Sequence, residues 1–493
     1  MNVLIYNYLQ PEESGGGGVN VYSKNLAAGL HAAGHRVIVL SSGDVYTFTN
    51  RHTWLRTWHD SYERAVIVNS PLLAPAEVAF DDLRQYVTNN TLDKVPALLR
   101  EKFGEIDVFH FQNVEGLTRS FFEQIRVDFP KSKIIYSIHN YNLVCPQVDL
   151  WYQDRQVCTD YREGVACTQC PVKPVSSQVI RRSRRRRPLV QAVTRSAPQI
   201  VVALKNAKRS FTTWRKKVPP AGSLSILQEG DGAQYASFRQ ANIDLCSQIF
   251  DYVLAVSKRT RQVVIERGLQ EHNIAVSYIG TAHKVIFDQA TKITDIGKGL
   301  HIAYLGYMRP NKGFHFLLDV LEKLPDDVAS SISLTIAAKR SHDPVAYKRL
   351  VKIALRFAAF HFYDGFTHDT LDTVLAGVNL GIVPPMWEDN LPQVAIEMVS
   401  RGIPVLTSDR GGAQEIADNP SFVFEAGSAI SLQQRLQQFS TRDVLLGRFW
   451  ENPIRIYSME EHVCDLTQYY TSSERLEVKS GEQLTLGRME GVP

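Results

Sequence analysis

Residues 301–324 read "HIAYLGYMRPNKGFHFLLDVLEKL". A short apolar run, "HIAYLGYM", is followed by a Gly- and Pro-punctuated loop carrying Arg309 and Lys312, and then by "FHFLLDVLEKL", whose apolar residues recur at helical spacing. This is a strand, a basic loop and a helix, the opening of a β-α-β unit. The same order opens the chain. "VLIYNY" reads as a buried strand, a loop ends in "GGGG", a helix runs from about Val19 to Ala32, and "RVIVLSS" is the next strand. Because the pattern starts twice, we expect an α/β protein with two doubly wound, Rossmann-like domains joined near residue 290. "DVFHFQN", "KIIYSIHN", "FDYVLAVS" and "IAVSYIG" extend the first sheet; "SISLTIAA", "LGIVPP", "GIPVLTS" and "SFVFEAG" extend the second.

The polar stretch 284–298 sets the boundary. The expected division is an N-terminal domain over 1–290, a second domain over 291–456, and a helix over 457–472. A polar tail over 473–493 is expected to be disordered. Residues 146–250 fit the alternation poorly and read as an elaboration of the first domain.

The chain has 493 residues, of which 44% are hydrophobic, enough for two to four domains. Charge is unevenly spread. Residues 171–217 hold 14 Lys and Arg and no Asp or Glu, leaving 41 basic against 51 acidic residues elsewhere. Such a block suits an anionic partner. Beyond "RRSRRRRP", Ile200, Leu204, Ala207, Phe211 and Trp214 fall at helical spacing beside Lys205, Lys208, Arg209 and Arg215. That stretch reads either as an amphipathic helix at an anionic membrane surface or as an ordinary helix packed on the sheet. No run approaches the ~18 apolar residues that span a bilayer. "MNVLIYNYLQ" lacks the basic and apolar regions of a leader. The expected location is cytoplasmic, and peripheral on the cytoplasmic membrane face where the stretch acts as the membrane helix.

Of six cysteines, Cys145, Cys158, Cys167 and Cys170 crowd into one short segment. One C-x-x-C pair with two further sulfurs is enough for a tetrahedral structural zinc; buried or free thiols are the alternative.

The glycine run is not a dinucleotide fingerprint, since its loop is too long and Asn20 stands where a third glycine would fall. It remains either an anion-favouring helix start or a plain turn. Arg309 and Lys312 could together neutralise a diphosphate, or simply be solvated. In "WEDNLPQVAIEM", residues 387–398, Pro392 suits the first helical position and Gly402 the position past the end, predicting a helix over about 392–401. Val394, Glu397 with Met398, and Arg401 share its face. A carboxylate there requires either a polar cleft or local hydrogen bonds.

Taken in order, these pieces resemble the retaining glycosyltransferases of family 4, with their two-Rossmann-domain GT-B fold; the resemblance implies that the domains face each other across a cleft, with 1–290 on the acceptor side, 291–456 binding the nucleotide sugar, and the helix 457–472 returning to the first domain. The likeness covers roughly residues 1–145 and 248–425. It rests on the loop Gly15–Gly18, on His139 in "YSIHNYNLVCP", on Arg309 and Lys312, and most specifically on "DNLPQVAIE" followed by "GIPVLTSDRGGAQEI". The resemblance implies a metal-independent transfer of a hexosyl group from a nucleoside-diphosphate sugar to a hydroxyl acceptor, glycan or lipid-linked, in polysaccharide, glycan or glycolipid assembly. It implies donor contacts from Gly16, Gly17, Gly18, Arg309, Lys312, Asp389, Asn390, Leu391 and Glu397. Arg309, Lys312, Asp389, Glu397 and His139 form the implied catalytic set. Glu397 would accept hydrogen bonds from the ribose diol, Arg309 and Lys312 would hold the leaving diphosphate, and Asp389 would hold sugar hydroxyls or its own loop. His139 would touch the donor sugar or line the acceptor side.

Two departures stand out. Asp389 occupies the place of the usual Glu, with Glu388 beside it, and Tyr307 follows the phosphate-loop glycine where Arg often stands. No Asp-x-Asp motif lies beside a strand end, and no catalytic metal is expected. His110 reads as a satisfied structural histidine. A non-catalytic partner subunit of the same fold, binding an anionic surface through its basic segment, is the alternative. A nucleic-acid binder is opposed by the lack of any recognisable module.

Overall fold

The structure, a computed structural model, describes residues 1–10, 17–48, 50–78, 83–170, 177–196, 232–452 and 454–472. Gly15, Gly16, the tail 473–493 and the stretch containing Ile200 to Trp214 lie outside the described residues.

The first sheet has eight strands. β1 (Asn2–Tyr6), β2 (Arg36–Ser41), β3 (Trp54–His59), β4 (Glu63–Val68), β5 (Val108–Phe111) and β6 (Lys133–Ile138) come first along the chain. A hairpin apart from the sheet, β7 (Trp151–Tyr152) with β8 (Gln156–Val157), precedes β9 (Tyr252–Ala255) and β10 (Ile274–Val276). The order across the sheet is β10-β9-β6-β5-β1-β2-β4-β3. Every pairing is parallel except β3 with β4. Central strands such as "LIY" of β1 and "VFHF" of β5 are buried throughout, as strands covered by helices on both faces must be. The antiparallel edge β3 was not foreseen. Its sequence "WLRTWH" leaves only Leu55 buried, so it carries no buried-strand signal, and its polar edge discourages further pairing.

After β11 (Gly280–Thr281) the chain enters the second sheet: β12 (Leu300–Leu305), β13 (Ile332–Ala337), β14 (Ala359–Tyr363), β15 (Leu380–Val383), β16 (Val405–Ser408) and β17 (Val423–Phe424). These six strands are all parallel, in the order β14-β13-β12-β15-β16-β17. The order reverses between β12 and β15, the switch point where loops diverge and leave a crevice.

The chain then comes back. β18 (Tyr457–Ser458) pairs in parallel with β11, and the helix Met459–Thr471 lies on the helix Gly17–Ala32. The two helices touch closely enough that a Cβ on Gly29 would stand 2.6 Å from Met459. Tyr22 Oη and His462 Nε2 are 2.6 Å apart. His110, fully buried, has both ring nitrogens engaged, Nδ1 with Tyr470 Oη and Nε2 with Ser137 Oγ, each at 2.8 Å. It ties the returning helix to the centre of the first sheet.

The domains meet at the amino end of the helix Lys258–Ile265. Glu415 of the second domain accepts from the backbone N–H groups of Lys258 (2.9 Å) and Arg259 (2.6 Å), capping that helix from across the junction. Tyr278 Oη donates to the same carboxylate at 2.7 Å. Ser257 Oγ donates to the Asn390 carbonyl at 2.7 Å. Glu388, 2% exposed, accepts from Arg259 Nε at 2.9 Å and Nη2 at 2.6 Å, from Arg410 Nη1 at 3.2 Å, and from the Gly411 N–H at 3.1 Å. Burial alone would raise its pKa. The Arg259 hydrogen bonds and charge, helped by Gly411 and Arg410, reverse that and hold the carboxylate below its usual range.

Because removing one partner of a buried pair leaves the other charge uncompensated, Glu388→Ala is expected to destabilise the protein by about 3 kcal/mol. The depressed pKa gives a sign: the contribution is complete above the unfolded carboxylate pKa of about 4.3 and disappears as pH falls through the folded value. Urea denaturation at pH 7 and at pH 3.5 checks both. The wild-type advantage over Glu388→Ala should shrink at the lower pH.

Candidate active site

The C-terminal ends of β12 and β15 carry the second-domain residues singled out from the sequence. The loop after β12 turns through Gly313, which has φ +75° and so near a backbone that a Cβ would stand 1.7 Å from the Pro384 carbonyl oxygen. Met386 N–H donates to the Asn311 carbonyl at 2.8 Å, fastening this loop to the one after β15. Lys312 Nζ thereby reaches Asp389 Oδ2 at 2.6 Å and lies 4.8 Å from the Trp387 ring centroid. Arg309 is exposed, its guanidinium 5.2 Å from the Tyr307 ring centroid.

The loop 388–390 is buried and gripped from behind. Gly412 N–H donates to the Asp389 carbonyl at 2.8 Å, and a Cβ on Gly411, at φ +71°, would stand 2.0 Å from that same oxygen. Of the two adjacent acids, Asp389 faces Lys312 while Glu388 serves the domain junction. Asn390 is buried with neither its side-chain Nδ2 nor its Oδ1 partnered. Leu391 is partly buried beside it.

The following helix covers Gln393–Val399, shorter than the span expected from sequence, with Pro392 as its N-cap residue and Ser400 as its C-cap. Pro392 has ψ 118°, outside the helix, so it precedes the first turn rather than starting it. Glu397 is 5% exposed and its Oε2 is without a partner. Its Oε1 is 3.6 Å from His368 Nδ1, too long for a hydrogen bond. Burial raises the Glu397 pKa, with His368 and Arg401 working against that rise.

The first domain closes on this edge. Gln393 Nε2 donates to the Gly18 carbonyl at 2.9 Å, so the helix start Gly17–Gly18 sits opposite the start of the Glu397 helix. His139, at the end of β6, pairs its Nε2 with Gln112 Oε1 at 2.9 Å, and its ring lies 4.5 Å from that of Tyr22. Burial, then the neighbouring His462, pushes its pKa down to about 3, so the ring is neutral at pH 7. Asn311 Nδ2 donates to Asp149 Oδ2 at 3.3 Å across the junction, and burial raises the Asp149 pKa to about 7.

The basic helix Ser177–Ser196 packs on the residues that follow β1, β2 and β4. Arg184 donates to Glu77 Oε1 at 2.7 Å and to Tyr8 Oη at 3.4 Å, and Arg181 donates to the Pro71 carbonyl. Arg187 lies 3.8 Å from Asp44. Arginines three residues apart share one helix face, so part of the basic block is neutralised within the protein. Arg182 and Arg186 remain exposed.

None of the four clustered cysteines is in a disulfide. Among the described residues, the one group of three metal-ligating side chains with donors within 4.8 Å of one another is His283, His368 and Glu397, so no three of the sulfurs are gathered this closely. Burial raises the pKa of each of the four thiols. Sequence reasoning missed Arg259, Arg410, Glu415, His283 and His368, for want of any local pattern. Only "THD" after "DGF" and "TAH" after a strand mark the two histidines as loop residues.

Residues 287–452 match the family described as "Glycosyl transferases group 1". That span contains Arg309, Lys312, Asp389, Asn390, Leu391 and Glu397, but neither His139 nor the glycine run. No curated protein matches the chain in sequence. Among solved structures, a sucrose-phosphate synthase from Thermosynechococcus elongatus is similar at TM-score 0.56 and 15% identity, over 95% of this chain and 98% of that one. HepE from Anabaena in complex with UDP is similar at TM-score 0.53 and 12% identity, over 97% and 96%. A structure described as "Trehalose-6-phosphate from E. coli bound with UDP-2-fluoro glucose" is similar at TM-score 0.54 and 11% identity, over 96% and 99%. The shared feature is the fold: two α/β domains of the GT-B kind. No described helix is long and apolar enough to cross a membrane.

Gly313→Ala is expected to lower the melting temperature by several degrees and to displace Lys312 from Asp389. The new Cβ meets backbone, and the left-handed conformation itself disfavours Ala; together these should cost about 2 kcal/mol or more. Thermal denaturation measures the first effect. An unchanged melting temperature would show that the loop relaxes freely.

Proposed function

We propose that the protein is a retaining glycosyltransferase that moves a sugar from a nucleoside-diphosphate sugar to a hydroxyl acceptor. The observation that carries this reading is the pair of buried, unpartnered polar groups at the switch point of the second sheet: the Asn390 amide and Glu397 Oε2. Such groups are costly unless a ligand completes them. They lie within the segment matching the group 1 transferases, along with Lys312 and Asp389.

In this reading, Glu397 accepts from the two ribose hydroxyls, a diol match that suits a carboxylate. Retention requires the diphosphate to leave while the acceptor hydroxyl approaches the same face of an oxocarbenium-like sugar. Negative charge then grows on the diphosphate, and Lys312, with Arg309 swinging off Tyr307, offsets it. Asp389 keeps Lys312 aimed before the donor arrives. His139, neutral at pH 7, hydrogen-bonds the sugar from the first domain, and Gly17–Gly18 offers backbone N–H groups close by. UDP sugars are the first donors to test, because the solved relatives include complexes with UDP and UDP-2-fluoro glucose. Acceptors follow, including glycans and sugars on lipid carriers.

With a productive donor identified among UDP, GDP and ADP sugars, Glu397→Ala is expected to lower kcat/KM by at least about tenfold for each lost charge-assisted bond of ~1.5–3 kcal/mol. Steady-state transfer assays on the folded variant measure this, and unchanged turnover would remove Glu397 from the site.

An anionic membrane surface is the proposed partner of the exposed arginines. Replacing Arg182 and Arg186 with Ser should weaken sedimentation with anionic liposomes at low salt by about thirtyfold, at roughly 1 kcal/mol per cation. If the unmodified chain fails to sediment, the membrane reading is wrong.

A further inference from the structure

His283, His368 and Glu397 come from three separate places in the chain. His283 follows β11 at the crossing into the second domain, immediately before the short helix Lys284–Gln289. His368 opens the turn His368–Thr370 after β14, and Glu397 lies in the helix Gln393–Val399. Their ligand atoms nevertheless fall within 4.8 Å of one another. The two imidazole centroids are 5.3 Å apart and their planes are inclined by 36°. No hydrogen bond among the three explains the convergence, because His368 Nδ1 and Glu397 Oε1 stop 3.6 Å apart and Glu397 Oε2 is buried without a partner.

A tetrahedral ion with bonds of about 2.1 Å holds its ligand atoms about 3.4 Å from one another. The His368–Glu397 separation of 3.6 Å is within a few tenths of an ångström of what an ion would impose, and the other pairs, within 4.8 Å, need to close by at most about 1.4 Å. Two imidazole nitrogens and one carboxylate oxygen suit zinc and its first-row neighbours and leave one position open. Calcium and magnesium prefer sites built from oxygens. The nearest cation, Arg401, is offset by Asp372, whose Oδ1 accepts from its Nε at 2.6 Å. Arg401 also donates to the Glu397 backbone carbonyl at 3.0 Å, which fixes the carboxylate-bearing turn.

We propose that His283, His368 and Glu397 form a binding site for a divalent transition metal of the zinc class, at the crossing between the two halves of the chain. The site stands on these three side chains and does not depend on the transferase reading. Where that reading also holds, Glu397 is shared, and a bound ion competes with the ribose of the donor.

The probe is Co2+ added to the full-length chain, followed by its visible spectrum and displaced with Zn2+. One ion per chain is expected with the strong visible bands of a tetrahedral centre and without thiolate charge-transfer absorption, which separates this site from the cysteines. His283→Ala and His368→Ala, at positions that are not buried, should each weaken binding by at least about tenfold. Metal-free melting temperatures should stay unchanged, showing that the variants fold. Binding that neither substitution weakens, or Co2+ that appears only with thiolate charge transfer, would overturn the proposal. Failure to transfer any sugar would remove the transferase reading and leave this spectrum as it is.

Discussion

A carboxylate sealed between two domains dictates the geometry of this protein. Glu388 is almost wholly removed from water, and its stability there depends on Arg259 from one domain and Arg410 and the Gly411 N–H from the other. Separating the domains would leave Arg259 without its bidentate partner, so the ion pair opposes opening at this edge. The neighbouring residues inherit their positions from it. Asp389 is the next residue along, the Asn390 carbonyl is held by Ser257, and the glycines behind the loop allow the backbone approach that keeps it rigid. The arrangement of Lys312 against Asp389 therefore depends on an interaction that touches neither.

The returning helix adds a second, less polar attachment. Its Val463, Leu466 and Tyr470 are buried, and His462 and Tyr470 meet Tyr22 and His110 inside the first domain. Burial pushes the pKa of His462 down to about 4 and that of His110 well below its ordinary value. Both rings are neutral near pH 7, so this attachment is insensitive to salt and to mild changes of pH, in contrast to the ionic edge.

The alternation of strands and helices was legible because parallel strands must be apolar along their length, and β1, β2, β5, β6, β12, β13, β15 and β16 carry that mark. β4 carries the same mark in "AVIV" but went unassigned; β3 and β14 carry none, since edge strands alternate with polar residues or are only half covered. Of the candidate site residues, Lys312 and Glu397 carry local signals, a basic loop after a strand and a carboxylate on an apolar helix face, whereas Asp389 is marked only by the family resemblance. The distinct duties of Glu388 and Asp389 carry no such signal. Nothing in "WED" says which acid meets Arg259, a residue 129 positions away. The sequence offers the basic block as one surface, whereas the fold engages Arg181 and Arg184 with the Pro71 carbonyl and Glu77 and brings Arg187 near Asp44, a distinction that only packing creates.

The parallel pairing of β11 with β18 has a topological result. Gly280 faces Tyr457 and Thr281 faces Ser458, and the Tyr278 and Tyr457 rings stack 6.0 Å apart, so the chain leaves the first half and re-enters it at the same spot. The second half is thus a loop of chain closed at its base, in effect an insertion between β11 and β18. A body tethered by two adjacent strands retains far less freedom than one hung from a single linker, and it cannot exchange with a neighbour without breaking that pairing. Its ends being side by side, the segment has the layout of a removable cassette.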